Sequence, residues 1–168
     1  RIIAAHEPVE ILCHDDVVRE KARVALETHR VRLSNVRFHV VPTDRVWLRD
    51  SAPTAVHDAT GRVVLLNWLF NGWAKYDNWQ LDAQVGPAIE RVTDLPRIEP
   101  ERPDGSGRLV LEGGGIEVNG SGLLLTTEEW LLSDVQVRNP GMTREDYERA
   151  FAEWLGIRRT IWLGEGCI

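Results

Sequence analysis

Strand-like runs joined by turns too short to hold a crossover constrain this chain more than any other feature of it. Residues 54–56 and 63–67 are separated by a turn from Asp58 to Gly61, and residues 115–118 and 122–126 by Asn119-Gly120. Such gaps allow antiparallel hairpins, because a parallel return needs a dozen residues or more. Elsewhere a helix intervenes. The apolar run 9–13 ends at Asp15-Asp16, which can cap and charge a helix over 17–28, and an alternating run follows at 36–41. Pro42-Thr-Asp44 breaks the chain before 46–48, which places Asp50 at or just past a strand end. Residues 81–92 carry apolar side chains at helical spacing, with Gly86-Pro87 imposing a kink or a late start. The Pro- and Gly-rich stretch 96–107 predicts a loop, and 109–111 a further β segment. Thr127-Glu-Glu129 opens a short helical turn. Thr143-Arg-Glu-Asp146 fits a capping box ahead of a helix to Leu155, with Gly156 ending it and a strand over 157–163.

This order mixes hairpins with crossovers and alternates too little for a doubly wound parallel sheet. It predicts an α/β fold of small mixed modules, each pairing a few strands with one helix as in a propeller. At 168 residues and 43% hydrophobic, the chain can enclose a core, and one domain over residues 1–168 is expected. The chain starts at Arg1 and stops at Ile168, straight after Gly164-Glu-Gly-Cys167, so it reads as part of a larger protein.

The formal charge of −6 argues against a nucleic-acid partner, which needs clustered Lys and Arg. No apolar run approaches the roughly twenty residues of a membrane-spanning helix, so no membrane partner is expected. Cys13 and Cys167 lie at opposite ends in apolar settings, which suggests reduced thiols and a cytoplasmic location. His6, His14, His29 and His39 are scattered without ligand spacing, so no metal is expected.

Two strings carry the chemistry. Trp47-Leu-Arg-Asp-Ser51 and Leu111-Glu-Gly-Gly-Gly115 each set one carboxylate among residues that let a ligand come close, and two fixed carboxylates suit a cation. Bland readings exist for both. Asp50 beside Arg49 can be an ordinary ion pair, and Glu112 can cap a turn whose glycines take positive φ. Trp73, Tyr76 and Trp79 can form a core cluster or surface patch as readily as a pore lining. His57 reads as structural, and no Lys-Ser or Lys-Thr follows Gly113 to Gly115 to make a phosphate loop.

Five ordered motifs decide between these readings: Trp47 to Thr54, Phe70-Asn-Gly-Trp73 with Lys75-Tyr76, Leu111 to Val118, Leu124 to Glu129, and Arg138-Asn-Pro140. From about Val36 onward the chain resembles the agmatine deiminase and bacterial peptidylarginine deiminase family. The resemblance implies a pentein fold, an α/β propeller around a substrate pore, here an incomplete ring truncated at both ends. It implies cofactor-free hydrolysis of a guanidinium to a ureido group and ammonia through a covalent cysteine intermediate. A guanidinium is planar and a poor electrophile, so paired carboxylates must orient it while a thiolate attacks. By motif Asp50 and Glu112 are those carboxylates, with Trp47 and Trp73 lining the pocket.

The family's catalytic histidine and cysteine motifs are not present. Cys167 does not fall where the nucleophile belongs, so the chain is expected to be inactive alone. Agmatine, giving N-carbamoylputrescine, is the expected substrate, with peptidyl or free arginine as the alternative. Other readings are a non-catalytic guanidine-binding fragment, one that self-associates as a homo-oligomer, or one that pairs with a complementing C-terminal half. Ala52, Gly115 and Trp130 depart from the family's usual Gly, small hydroxyl residue and Cys.

Overall fold

The structure is a computed structural model and describes residues 2–166; Cys167 lies outside the described residues. The chain divides into two compact units, residues 1–43 and 44–168.

In the first unit a short α1 (Ile3–His6), not anticipated from the sequence, precedes β1 (Val9–Cys13), α2 (Asp16–Thr28) and β2 (Val36–Val40). β1 and β2 pair in parallel, Val9 opposite Val36 through Cys13 opposite Val40. The expected cap is present: the Asp15 carboxylate accepts the Val18 N–H at 2.7 Å. Cys13 is 1% exposed, and burial pushes its thiol above the ordinary range. It is a packing residue rather than a reactive one.

The second unit repeats one topology twice. β3 (Thr54–His57) and β4 (Val63–Leu66) form a hairpin, and α4 (Val85–Thr93) leads to β5 (Arg97–Ile98), parallel to β4. β6 (Glu117–Val118) and β7 (Leu123–Thr127) form the next hairpin, and α6 (Arg144–Leu155) leads to β8 (Arg159–Leu163), parallel to β7. These are the mixed modules that the hairpin spacing predicts. Their turns are built as the sequence suggests. Asp58 accepts the N–H groups of Thr60 and Arg62 at 2.8 and 3.0 Å, and Asn119 those of Ser121 and Leu123 at 2.8 and 3.1 Å. Thr143 and Asp146 make the reciprocal capping box, and Gly156 ends α6 in the left-handed conformation at φ 65°.

Three elements differ from expectation. Residues 46–48 form no strand. The Asp44 and Arg45 N–H groups go instead to the buried Asp82 carboxylate at 2.8 and 3.0 Å, and the chain coils into α3 (Leu48–Ser51). Val46 and Trp47 stand exposed, and Asp50 lies on a helical turn. The 96–107 loop contains β5, whose two residues carry no pattern of their own. They pair because Leu65 of β4 and Asn67 just past it offer their N–H groups to the Pro96 and Ile98 carbonyls, both at 2.8 Å. Residues 109–111 make a single parallel bridge between Leu69 and Val110 instead of a strand.

The helix expected over 81–92 starts late. A short 3₁₀ turn over Asp82–Gln84 precedes α4, which puts Pro87 in the first turn, where its missing N–H has no intrahelical partner to lose. α5 (Glu128–Leu132) takes Thr127 as its N-cap. Leu109, Leu111, Leu124, Tyr147 and Phe151 are fully buried and form the centre of this unit's core, with Trp154 and Trp162 packed partly buried against it.

Candidate functional site

Asp50 and Glu112 are 62 positions apart in sequence and line one cleft of about 370 Å³ with Trp73, Gly114, Trp130 and Arg138. All belong to residues 44–168. The cleft is walled by α3, the 3₁₀ turn over Gly113–Gly115 and the start of α5.

Glu112 is 1% exposed. One carboxylate oxygen accepts the Trp130 indole N–H at 2.8 Å, and the other accepts Arg138 Nε at 3.2 Å. Arg138 is buried as well and donates to the Gln136 carbonyl at 2.8 Å. The adjacent Asn139 explains how Glu112 is placed. Its amide oxygen accepts the Val110 N–H at 2.9 Å, and its amide nitrogen donates to the Val110 carbonyl at 2.8 Å and to the Tyr147 hydroxyl at 3.0 Å. Asn139 therefore clips the backbone two residues before Glu112, while Arg138 holds its side chain.

Asp50 is half-buried and accepts the Trp73 indole N–H at 3.2 Å, with the Gly114 backbone against its other carboxylate oxygen. Trp73 sits in the left-handed region, φ 60°, followed by Ala74 at φ 51°. Non-glycine residues seldom hold such a conformation unless their surroundings enforce it. Here the Asn71 carboxamide accepts the Ala74 N–H at 2.9 Å, and the Phe70 ring meets the indole edge-on at 5.1 Å.

The three glycines are needed for space and not for positive φ. A Cβ on Gly113 would lie 2.6 Å from the Arg49 carbonyl oxygen, on Gly114 2.2 Å from an Asp50 carboxylate oxygen, and on Gly115 2.2 Å from the Trp130 ring. The glycine run lets its backbone approach both acid-bearing segments.

Both acids are pushed towards protonation. Burial raises the Asp50 carboxyl above its ordinary range against the Trp73 hydrogen bond. Burial also raises Glu112 against Arg138 and Trp130, and the neighbouring Asp50 charge adds to the rise. A cation entering between them would relieve both costs. Neither cysteine nor histidine lines the cleft among the described residues; His57 is exposed on β3. The structure thus brings together Asp50, Glu112 and Trp73. Trp47 is 61% exposed and does not line this cleft. Arg138 and Trp130 received no role from the sequence, although both stand within or beside the quoted motifs.

The sequence profile of the Porphyromonas-type peptidyl-arginine deiminases matches residues 1–168. Among curated relatives, the agmatine deiminase of Ectopseudomonas mendocina is 38% identical over 99% of this chain, and that of Pseudomonas syringae pv. syringae 36%. The chain spans 43% of the length of each. The agmatine deiminase of Enterococcus faecalis superposes with a TM-score of 0.78 at 25% identity, over 98% of this chain and 42% of that one. A substrate-bound Campylobacter jejuni agmatine deiminase superposes with a TM-score of 0.79 at 24% identity, over 99% of this chain and 45% of that one. These likenesses give the fold: the mixed modules are part of a pentein-type α/β architecture.

Proposed function

This chain belongs to the Porphyromonas-type peptidyl-arginine deiminase family, and from that premise we propose that it carries the guanidinium-gripping carboxylates of an agmatine deiminase. The observation that carries the reading is the convergence of Asp50 and Glu112 on one cleft. A guanidinium presents its donors in a planar fork and stays charged, so two converging carboxylates recognise it through charge-assisted hydrogen bonds. The contacts to Trp130, Arg138, Trp73 and Gly114 fix both carboxylates in advance and leave acceptor capacity for a ligand, since each oxygen has two lone pairs.

The reaction is hydrolysis of agmatine to N-carbamoylputrescine and ammonia. A thiolate adds to the guanidinium carbon, ammonia leaves, and water releases the ureido product from the thiol. In this reaction Asp50, Glu112 and Trp73 bind and orient the guanidinium. A cytoplasmic setting belongs to the same reading. The agmatine deiminases at 36–38% identity favour agmatine over an arginine residue of a peptide.

Calorimetric titration with agmatine tests the proposal. Saturable binding is expected, weakened about ten-fold or more by Asp50→Asn or Glu112→Gln, since a hydrogen bond to a charged group is worth about 1.5–3 kcal/mol. Absence of saturable binding to the wild-type protein, or binding by both variants as tight as by the wild type, would refute it.

A further inference from the structure

Asp50 depends on Trp73, and Trp73 is itself gripped by a residue with no contact to the cleft. Arg45 lies with its guanidinium carbon 4.7 Å from the Tyr76 ring centroid and 5.5 Å from that of Trp73, two rings that meet edge-on at 6.0 Å. Its head is locked: Nη2 donates to the Asn78 carboxamide at 2.8 Å, and Nη1 donates to the Asn78 carbonyl and to Asp82 at 3.1 Å. Asp82 is 1% exposed and also takes the Asp44 and Arg45 N–H groups, so the arginine is anchored at backbone and head by one carboxylate. Arg45, Trp73 and Tyr76 lie outside the unit's main hydrophobic cluster. The clamp bears on the indole of Trp73, whose backbone is left-handed and whose indole N–H is bonded to Asp50.

We propose that Arg45 is a positioning residue for Asp50, acting through the Trp73 indole. A locked cation held over the ring restricts its tilt, and the tilt decides whether the indole N–H reaches the carboxylate. The proposal rests on the reading of Asp50 as a ligand carboxylate, but its central test does not need a ligand.

In the ligand-free protein, the Asp50 side-chain carbon is followed by NMR through a pH titration, with the Trp73 indole N–H as the second resonance. The other charges facing Asp50 are Arg49 on its own turn, and Arg138 and Glu112 across the cleft, and all three stay in place. Arg45→Met is expected to move the indole resonance and raise the Asp50 midpoint. Trp73→Phe should raise it similarly, and Arg45→Met in the Trp73→Phe background should add nothing. Arg45→Lys keeps the charge but not the fork to Asn78 and Asp82, so it should restore the midpoint only in part. It also serves if the methionine variant fails to fold.

Full restoration by lysine would mean that Arg45 acts through charge alone and would overturn the proposal. So would an undiminished effect of Arg45→Met in the Trp73→Phe background, or an unmoved Asp50 titration. Agmatine affinity should fall about three- to ten-fold in Arg45→Met, the loss expected for one hydrogen bond. If the wild-type protein bound no agmatine, the proposed function would fail while the ligand-free titration still decided the role of Arg45.

Discussion

At the scale of single residues, the buried Glu112–Arg138 pair sets the behaviour of the site. A buried charge pair is weak evidence of stabilisation, because desolvation offsets attraction, but removing one partner strands the other. Glu112→Gln should therefore destabilise the fold by about 3 kcal/mol, read as a lower urea midpoint. The double variant Glu112→Leu/Arg138→Met should recover most of the loss, and a double variant no better than the single would show that the pair contributes more than its charge balance. The acids also set a pH dependence. Their folded pKa values are raised, so the native state holds extra protons between the unfolded and folded values. Their contribution to stability therefore falls as pH rises through that window. A guanidinium needs the carboxylates ionised, so agmatine affinity should be level near neutrality and weaken as pH falls through the raised values. The decline should begin above the ordinary Glu range of about 4.3. Affinity unchanged down to about pH 4.5 would count against these two acids as the ligands.

At the scale of elements, the 3₁₀ turn over Gly113–Gly115 is the joint between the two acid-bearing segments. Gly115→Ala would drive a methyl into the Trp130 ring, which shares its N–H with Glu112. It should cost about 1–3 kcal/mol and weaken agmatine binding at the same time, measured by denaturation and calorimetry on one sample. Thr143→Ala removes the α6 cap at a residue that does not line the cleft, and should cost about 1 kcal/mol with affinity unchanged. A change of affinity there would mean that the Asn139–Tyr147 hydrogen bond carries the loss of the α6 cap to the site. The contrast also shows what the sequence makes legible. Caps and hairpin turns are local, so Asp15, Asp58, Asn119, Thr143 and Gly156 announce their elements. β5 and the bridge at Val110 exist only because β4 and Leu69 offer partners, and no pattern within two residues can say so. Residues 46–48 look like a strand because their side chains are apolar, but the buried Asp82, nearly forty positions away, takes the backbone N–H groups just before them. In the site, the carboxylates are legible because glycine and aromatic neighbours mark them. Arg138, Asn139 and Arg45 act through tertiary contacts that spacing does not encode.

At the scale of the whole molecule, the site and the core belong to the same part of the chain. Every residue of the cleft, the Arg45–Trp73 clamp and the hydrophobic cluster lies within residues 44–168. That unit holds both complete modules, in which a hairpin and a parallel return share one helix, and its core fully buries Tyr147, Phe151 and three leucines. Residues 1–43 hold one parallel strand pair with an intervening helix, too small a core to be independently stable by the usual scaling of burial with size. Binding should therefore follow the second unit. A polypeptide of residues 44–168 should unfold cooperatively in urea and bind agmatine within about two-fold of the longer chain, a difference of less than about 0.5 kcal/mol. A polypeptide of residues 1–43 should show neither a cooperative transition nor binding. If residues 44–168 folded but bound agmatine more than ten-fold more weakly, the first unit would have to help shape the cleft, and the assignment of guanidinium recognition to Asp50 and Glu112 with their own supports would be incomplete.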